Sequence, residues 1–301
     1  MKRTFYLVVI LLVIVFGAYF GWLLCCNDQI VEEVKKEKPK EVESKPIISF
    51  GILDSDGNIS IPLDKGVKFK KSSIKFDAPV SVELDEKIDK LKDFLISEKE
   101  KSLSITSFYT SDETNSSVFP NIGLARAISF KNYVSEKGIP TKLIDVKGEL
   151  RDNSEIDENN NIKKPLKLNV GKSKDYTQLL ASIIKDIESN PLVLNFESGK
   201  AQLKLESDQR RKIVNISTYL DKVEKSICTI TGHTDNTGTT KTNLYLGQQR
   251  ANYLKDFFVK SGILDNRIKA ISKGDSEPIA SNNTKKGRAK NRRTDVSLGK
   301  N

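Results

Sequence analysis

The hydrophobic pattern divides the chain into an apolar N-terminal run, a charged stretch and a long region of alternating helices and strands. The first run, residues 5–26, contains no charged residue. About 20 helical residues, each rising about 1.5 Å, match a hydrocarbon core about 30 Å thick. The pattern therefore predicts a transmembrane anchor over 5–26 behind a cytoplasmic tip, 1–4. A lipid on Cys25 or Cys26 is the alternative, although Leu24 stands where a small residue normally precedes a processed cysteine.

Two further segments precede the main helical and strand pattern. Residues 27–46 mix lysine and glutamate with two prolines and few large apolar residues. Such a segment buries too little apolar surface to fold and is predicted to be a charged, extended linker. Residues 47–63 then alternate apolar and polar positions on both sides of an Asp-Gly pair, which predicts a β-hairpin.

The last part of the chain alternates the two periodicities. Apolar residues at helical spacing predict helices, and short apolar or alternating runs predict strands. Ser207 is a candidate N-cap and Gly262 a candidate C-cap. The strand–helix–strand–helix–strand order predicts a sheet with helices packed on it. The predicted helices are 175–189, 207–223 and 243–262, and the predicted strands are 191–196, 226–232, 267–274 and 294–298.

Composition and charge narrow the classes of function. The chain has 301 residues, with 50 Lys and Arg against 40 Asp and Glu, for a net charge of +10. The basic charge is scattered lysine without clusters of arginine and aromatic residues, so we expect no nucleic-acid partner. Three cysteines, two of them adjacent, do not form a disulfide framework.

The stretch "TGHTDNTGTTKTNLYLGQQRA", residues 231–251, holds the candidate chemistry. His233 is the only histidine of the chain and lies two positions before Asp235. A hydrolase would need a nucleophile or a set of metal ligands, and no second histidine or paired cysteine lies nearby. We therefore expect no enzyme, no metal and no cofactor, and we expect His233 to pack or hydrogen-bond beneath the loop.

Two opposite charges in this stretch favour a binding site. Asp235 lies in the predicted turn, and Arg250 follows 15 positions later in the predicted helix. Residues 243, 247, 250 and 254 share one helical stripe, which can turn Asn243 and Arg250 toward that turn. A fixed anion beside a fixed cation suits a ligand that carries an ammonium and a carboxylate on one carbon. The alternative is an ion pair between Asp235 and Arg250 that only ties the loop to the helix.

These motifs resemble the OmpA-like peptidoglycan-binding domain of outer-membrane proteins, Pal-type lipoproteins and flagellar stator B subunits. The resemblance covers about residues 190–299. It implies an α+β fold, an OmpA-like β/α/β/α/β sandwich, that binds the diaminopimelate of the peptidoglycan stem peptide. The motifs that carry it, in order, are "TGHTDNTG", Asn243, "RA" at 250–251 and "NRR" at 291–293.

The resemblance also implies roles for single residues. Asp235 and Arg250 match the two ligand-gripping positions of the family. Gly247 stands where the family usually has serine, a departure expected to loosen the helix start slightly while leaving both charges in place. Arg292 is expected either to close the site or to buttress the loop. The supporting positions of the family correspond to Thr234, Asn243 and Arg292.

The middle of the chain repeats part of this pattern. "GLARAISFKNYVSEKGI" at 123–139 aligns with 247–263 at a constant offset of 124, which places Arg126 over Arg250. Two upstream segments, 84–95 and 102–110, align with the first helix and the strand before the loop. The pattern predicts two tandem copies, a diverged OmpA-like domain over 47–172 and the peptidoglycan-binding domain over 173–301. The alternative is a coincidence between two amphipathic helices.

The predicted copy differs at the position of Asp235. Thr110 or Ser111 stands there, with Asp112 nearby. Because a hydroxyl supplies no charge to balance an ammonium, we expect this copy to bind no diaminopimelate. A spacer or a module that binds an envelope protein partner is the expected role.

The sequence thus predicts a membrane-anchored envelope protein that tethers a membrane to peptidoglycan. The membrane partner would be reached through 5–26, with both domains in the periplasm and the anchor in the inner rather than the outer membrane. A stator-B-like subunit, or another machine component anchored to the wall, is the alternative. Residues 5–26 lack the carboxylate that such a stator helix carries.

Overall fold

The computed structural model describes residues 2–25, 47–63, 67–195 and 205–300, with the side chains of the first helix described for residues 10–21. The chain divides into two units, Met1–Lys45 and Pro46–Asn301. The predicted linker at 27–46 lies outside the described residues, as does Cys26.

Helix α1 (Lys2–Cys25) is the described part of the first unit. Its large apolar side chains between residues 10 and 20 are exposed. Within the described part of the chain, however, no helix combines the length and apolar character that crossing a membrane requires. The prediction of a transmembrane helix over 5–26 is therefore not supported.

The second unit contains two sheets, each with helices packed on it. We use the name N-lobe for residues 47–172 and C-lobe for residues 173–301. The six-stranded sheet of the N-lobe has the order β1-β2-β3-β6-β4-β5. Its elements are β1 (Ile47–Ile48), β2 (Gly51–Leu53), β3 (Ile59–Ile61), α2 (Val82–Ser97), β4 (Lys101–Tyr109), α3 (Ile122–Glu136), β5 (Ile144–Leu150) and β6 (Leu166–Lys172).

The C-lobe has a four-stranded sheet with the order β7-β10-β8-β9. Its strands confirm the predicted order of elements, with bounds shifted by a few residues. Its elements are α4 (Thr177–Ser189), β7 (Leu192–Asn195), α5 (Ser207–Lys222), β8 (Ser226–His233), α6 (Thr240–Lys260), β9 (Ile268–Gly274), α7 (Lys285–Asn291) and β10 (Arg293–Lys300).

Four strands of each sheet are connected in the same way. Strand β4 is parallel to β5 and antiparallel to β6, which is antiparallel to β3. In the C-lobe, β8 is parallel to β9 and antiparallel to β10, which is antiparallel to β7. A short 3₁₀ helix, Thr141–Leu143 or Asp265–Arg267, precedes the second parallel strand of each lobe. That the lobes descend from one duplicated domain stays a prediction.

The caps of the C-lobe helices differ in part from those predicted. Helix α5 begins at Ser207, but Glu206 is its N-cap and forms a capping box with Gln209, so the prediction of Ser207 as N-cap is wrong. A carboxylate, like a hydroxyl, can accept hydrogen bonds from the free backbone N–H groups of the first helical turn. Gly262, with φ of +105°, follows the end of α6 as predicted, since this backbone conformation favours glycine.

The two lobes share apolar and polar contacts. Val118 and Phe119, from the loop before α3, belong to the same buried cluster as the C-lobe core. Lys131 Nζ contacts Asp221 Oδ2 at 2.7 Å with side chains only 3% and 14% exposed. Ion pairs with so little solvent around them are screened weakly. The lobes therefore pack as parts of one compact unit.

Cys228 of β8 lies inside the C-lobe core. Burial raises the pKa of its thiol to about 12. The thiol therefore stays protonated at neutral pH and packs as a small apolar side chain.

Candidate functional site

The candidate site lies where strand β8 ends and the chain turns toward helix α6. His233 is the last residue of β8, and the register with β9 shifts between Gly232 and His233. The next residue, Thr234, is buried and donates its backbone N–H to Gly274 O at 2.8 Å. These contacts fix the start of the loop that carries Asp235 at the end of the sheet.

Helix α6 approaches the same strand closely through a glycine. A Cβ atom on Gly247 would lie 2.8 Å from Gly232 O and 2.3 Å from the Ser272 hydroxyl. Glycine is therefore a packing requirement here, rather than a change that only loosens the helix start. One turn further, Arg250 is buried and donates from Nη1 to His233 O at 2.8 Å. The close crossing thus brings the guanidinium to the end of the strand.

Asp235 is held by two donors. Arg292 Nη1 donates to Asp235 Oδ2 at 2.8 Å, and the Thr237 backbone N–H donates to Oδ1 at 3.0 Å. The Asp235 and Arg292 side chains are 13% and 19% exposed. Burial acts to raise the pKa of Asp235, but the hydrogen bonds from Arg292 and Thr237 outweigh it and keep the pKa below the ordinary value. Asp235 is therefore ionised at neutral pH.

Arg250 lies within the electrostatic reach of both of these groups. Burial lowers the pKa of Arg250, the positive charge of Arg292 lowers it further, and Asp235 raises it. A guanidinium nevertheless remains charged at neutral pH. The site thus combines two cations with one anion, which favours a ligand that brings a carboxylate.

The "NRR" motif reaches the site through helix α7, a helix that the sequence pattern does not predict. Asn291 is fully buried, and its Oδ1 accepts the backbone N–H groups of Ile279 and Ala280 at 2.9 and 3.0 Å. This side chain fixes the loop before α7. Arg292 is the C-cap residue of α7, so the helix carries its guanidinium to Asp235.

His233 lies beneath the loop in a polar network, as expected. Its side chain is buried, with Nε2 3.2 Å from Asp295 Oδ2. Arg293 also donates to Asp295, at 3.0 Å. Burial acts to raise the pKa of Asp295, but the bonds from His233 and Arg293 outweigh it and lower the pKa. In the described ranges, no group of three or more His, Cys, Asp or Glu residues could hold a metal.

The structure brings the five predicted site residues to one end of the C-lobe sheet. Asn243 and Arg250 lie on the buried face of α6, Thr234 and Asp235 in the preceding loop, and Arg292 at the end of α7. Three buried atoms there, Thr234 Oγ1, Asn243 Nδ2 and Arg292 Nε, have no hydrogen-bond partner among the described residues. Buried polar atoms are usually paired, so these three atoms are available to hydrogen-bond a ligand or water. The binding roles of the five residues stay a prediction.

The N-lobe differs from the sequence expectation near Arg126. The sequence placed Thr110 or Ser111 at the position of Asp235, with Asp112 nearby, and predicted no carboxylate partner for Arg126. Instead, Arg126 forms a buried ion pair with Glu113, and Asp112 contacts Lys71.

Comparisons with known proteins place the C-lobe in a family. The OmpA family model matches residues 195–292, so the chain carries an OmpA-family domain. Outer membrane porin F of Pseudomonas aeruginosa is 32% identical over 108 residues, which are 36% of this chain and 30% of the porin. The peptidoglycan-binding protein ArfA of Mycobacterium tuberculosis H37Rv is 46% identical over 68 residues, covering 23% and 21%. The peptidoglycan-associated lipoprotein of Buchnera aphidicola is 43% identical over 65 residues, covering 22% and 38%.

The similarity concerns one domain. The chain spans less than two fifths of the length of each of these three relatives. The matched segment contains Asp235, Arg250 and Arg292.

Proposed function

We propose that this is a cell-envelope protein that binds peptidoglycan non-covalently through the diaminopimelate of the stem peptide. The observation that carries the proposal is the meeting of an ionised carboxylate, Asp235, and a buried guanidinium, Arg250, at the end of one sheet. His233 O fixes the guanidinium and Arg292 fixes the carboxylate.

The ligand chemistry matches these charges. The free end of diaminopimelate presents an ammonium and a carboxylate on one carbon. In this proposal Asp235 accepts hydrogen bonds from the ammonium, and the planar guanidinium of Arg250 donates hydrogen bonds to the carboxylate. Arg292 adds a second positive charge that favours the same carboxylate. The buried polar atoms of Thr234 and Asn243 supply further hydrogen bonds.

The relatives support this proposal for the C-lobe. The names of ArfA and of the Buchnera lipoprotein refer to peptidoglycan, and the family match falls on the residues that form the site. We assign peptidoglycan binding to the C-lobe alone. In this proposal the C-lobe binds the wall without cleaving it, and such binding requires only the charges of Asp235, Arg250 and Arg292.

Sedimentation with purified peptidoglycan tests the proposal. Asp235→Ala and Arg250→Ala should each lose most binding, because either change leaves one ligand charge unpaired at a cost of about 2–5 kcal/mol. Asp208→Ala and Arg211→Ala are matched controls, since this exposed pair lies on helix α5. They should bind as the wild type does. Full binding by both site variants, with the fold intact, would reject the site.

Attachment to a membrane through the N-terminal segment is the second part of the proposal, and it would link a membrane to the wall. The exposed apolar side chains of α1, such as Leu11 and Val13, support it, because such a surface favours a nonpolar environment. Full-length chain should fractionate with membranes, whereas a chain beginning at residue 46 should not. Mass spectrometry would distinguish an intact N-terminus from a lipidated Cys25 or Cys26.

A further inference from the structure

Arg126 of the N-lobe and Arg250 of the C-lobe hold equivalent positions at the ends of their sheets. Arg126 Nη1 donates to Phe108 O at 3.3 Å, and Arg250 Nη1 donates to His233 O at 2.8 Å. Phe108 and His233 each lie five residues after the position that begins the parallel pairing with β5 or β9. The two guanidiniums therefore contact corresponding carbonyl groups.

The helices that carry these arginines cross their strands in the same way. Gly123 and Gly247 each precede the arginine by three residues. A Cβ atom on Gly123 would lie 2.9 Å from Ser107 O, and one on Gly247 would lie 2.8 Å from Gly232 O. Ser107 and Gly232 each come directly before the residue that accepts from the arginine. The equivalence thus rests on backbone geometry as well as on sequence.

The N-lobe surrounds one carboxylate with donors at this position. Arg126 Nη1 donates to Glu113 Oε1 at 3.1 Å, and Nη2 donates to Oε2. The backbone N–H groups of Ser72 and Thr110 donate to Oε2 and Oε1, both at 2.9 Å. The side chains of both Arg126 and Glu113 are 0% exposed. Two charged and two backbone donors converging on one buried carboxylate are what a carboxylate-binding site requires.

We propose that the N-lobe contains a carboxylate-binding site of the same kind as the one in the C-lobe, and that Glu113 of the chain itself occupies it. Thr110 lies two residues after Phe108, as Asp235 lies two after His233. The N-lobe site therefore has the Thr110 hydroxyl and backbone amide where the C-lobe has an anion. The nearby Asp112 carboxylate accepts from that hydroxyl and is already paired with Lys71, so the site binds a carboxylate without an ammonium. In its comparison with Arg250, this inference rests on the proposed function.

The charge of the occupant is settled by its surroundings. Burial acts to raise the pKa of Glu113, but the bonds from Arg126 and from the Ser72 and Thr110 amides outweigh it and lower the pKa. An ionised Glu113 neutralises the charge of Arg126 at neutral pH. It follows that each chain takes up one stem peptide, through the C-lobe.

Chemical rescue with acetate tests the inference on the full chain. Glu113→Ala removes four heavy atoms, Cγ, Cδ and both oxygens, and acetate consists of the same four. The variant should melt about 10 °C below the wild type, because it leaves a buried arginine unpaired. Sodium acetate should restore several degrees, saturably. Sodium chloride and acetamide at the same concentration should not, and the wild type should show no comparable gain.

Two further variants keep the test decisive. In Glu113→Ala combined with Arg126→Met, the specific acetate response should disappear. Glu113→Gln fills the space with a neutral amide, so it should melt below the wild type and show no acetate response. If Glu113→Ala does not fold in buffer, refolding in acetate should recover it. Equal responses to acetate and chloride, a stable Glu113→Gln, or no recovery in acetate would overturn the inference. None of these measurements uses peptidoglycan, so a failed Asp235→Ala sedimentation test would be a separate result.

Discussion

Arg292 and Asp235 lie 57 positions apart in the chain and meet at 2.8 Å between the end of helix α7 and the loop after β8. Both side chains are mostly buried, so solvent weakens the pair less than it would at the surface. The pair therefore ties the loop after β8 to the end of helix α7.

Removing this contact should release Asp235 without abolishing the site. In Arg292→Ala, the pKa of Asp235 should rise toward its ordinary value, because its strongest stabilising hydrogen bond is lost. Peptidoglycan binding should weaken by about 1.5–3 kcal/mol, less than in Arg250→Ala, since Arg250 remains. Carbon-detected NMR titration of Asp235 and sedimentation measure the two effects. Arg292→Lys keeps the positive charge but loses the planar guanidinium with its two parallel donors, so an intermediate loss of binding is expected. No loss of binding in either variant would show that Arg292 only supports the loop.

Binding should depend on pH through Asp235. The pKa of Asp235 is lowered in the folded protein. The contribution of this carboxylate to folding stability is therefore fully present above the unfolded pKa of about 3.9 and is lost as the pH falls through the folded pKa. The ionised form that would pair with the ligand's ammonium is lost over the same pH range. Sedimentation should therefore be constant from about pH 7 to about pH 5 and should decline below about pH 4. Circular dichroism at each pH separates loss of binding from unfolding. A steep decline between pH 7 and pH 5 in folded protein would indicate a different titrating group.

Selectivity between stem peptides distinguishes specific recognition by Asp235 and Arg250 from general electrostatic attraction to a basic protein. Stem peptides with diaminopimelate should bind more tightly than stem peptides with lysine, because lysine lacks the carboxylate that Arg250 would contact. Added salt should weaken binding only moderately, since buried pairs are screened less than surface charges. Competition with the two purified muropeptides at low and high salt measures both effects. Equal affinity for both peptides, or for any polyanion, would favour nonspecific electrostatic binding.

The ion pair between the lobes should contribute to the stability of the whole unit. Lys131→Met leaves Asp221 with its charge in a mostly buried position, which should lower the free energy of unfolding by about 3–5 kcal/mol. Lys142→Met is the matched control, because its partner Glu224 and Lys142 itself are 71% and 49% exposed. That change should cost less than about 1 kcal/mol. Urea unfolding measures the free energy of unfolding of both variants. Equal losses would show that the buried ion pair contributes no more to stability than the exposed one.

The crossing of α6 over β8 should tolerate no side chain at its closest point. Gly247→Ala should lower the free energy of unfolding by about 1–3 kcal/mol, because the added methyl group overlaps a backbone carbonyl. Gly299→Ala is the control, since no atom lies within 4 Å of the corresponding Cβ position. Denaturant unfolding of both variants checks the prediction, and an unchanged midpoint for Gly247→Ala would show that the helix can shift.

Much of the C-lobe could be predicted because its signals are local. The predicted helix at 207–223 corresponds to Ser207–Lys222, and the strand at 226–232 to Ser226–His233. Helix α7 was missed because four of its seven residues are basic and it carries no apolar stripe. The sequence predicted that Arg292 would close the site or buttress the loop, but not that it would contact Asp235 itself, because only the fold brings these distant positions together.

The acidic partner of Arg126 could not be predicted from the sequence. Asp112 and Glu113 are adjacent acidic residues in a loop, where no periodicity shows which side chain points inward. The structure buries Glu113 and leaves Asp112 exposed beside Lys71. Sequence spacing alone could therefore predict the arginine but not its partner.

The central place of β10 in the C-lobe sheet has a mechanical consequence. Arg292 directly precedes this strand, which lies between β7 and β8 and is antiparallel to both. Tension applied through a ligand at Asp235 and Arg292 would enter β10 at its first residue and act along the strand. The ladder bonds lie across that direction, so they would share the load in shear instead of opening one after another.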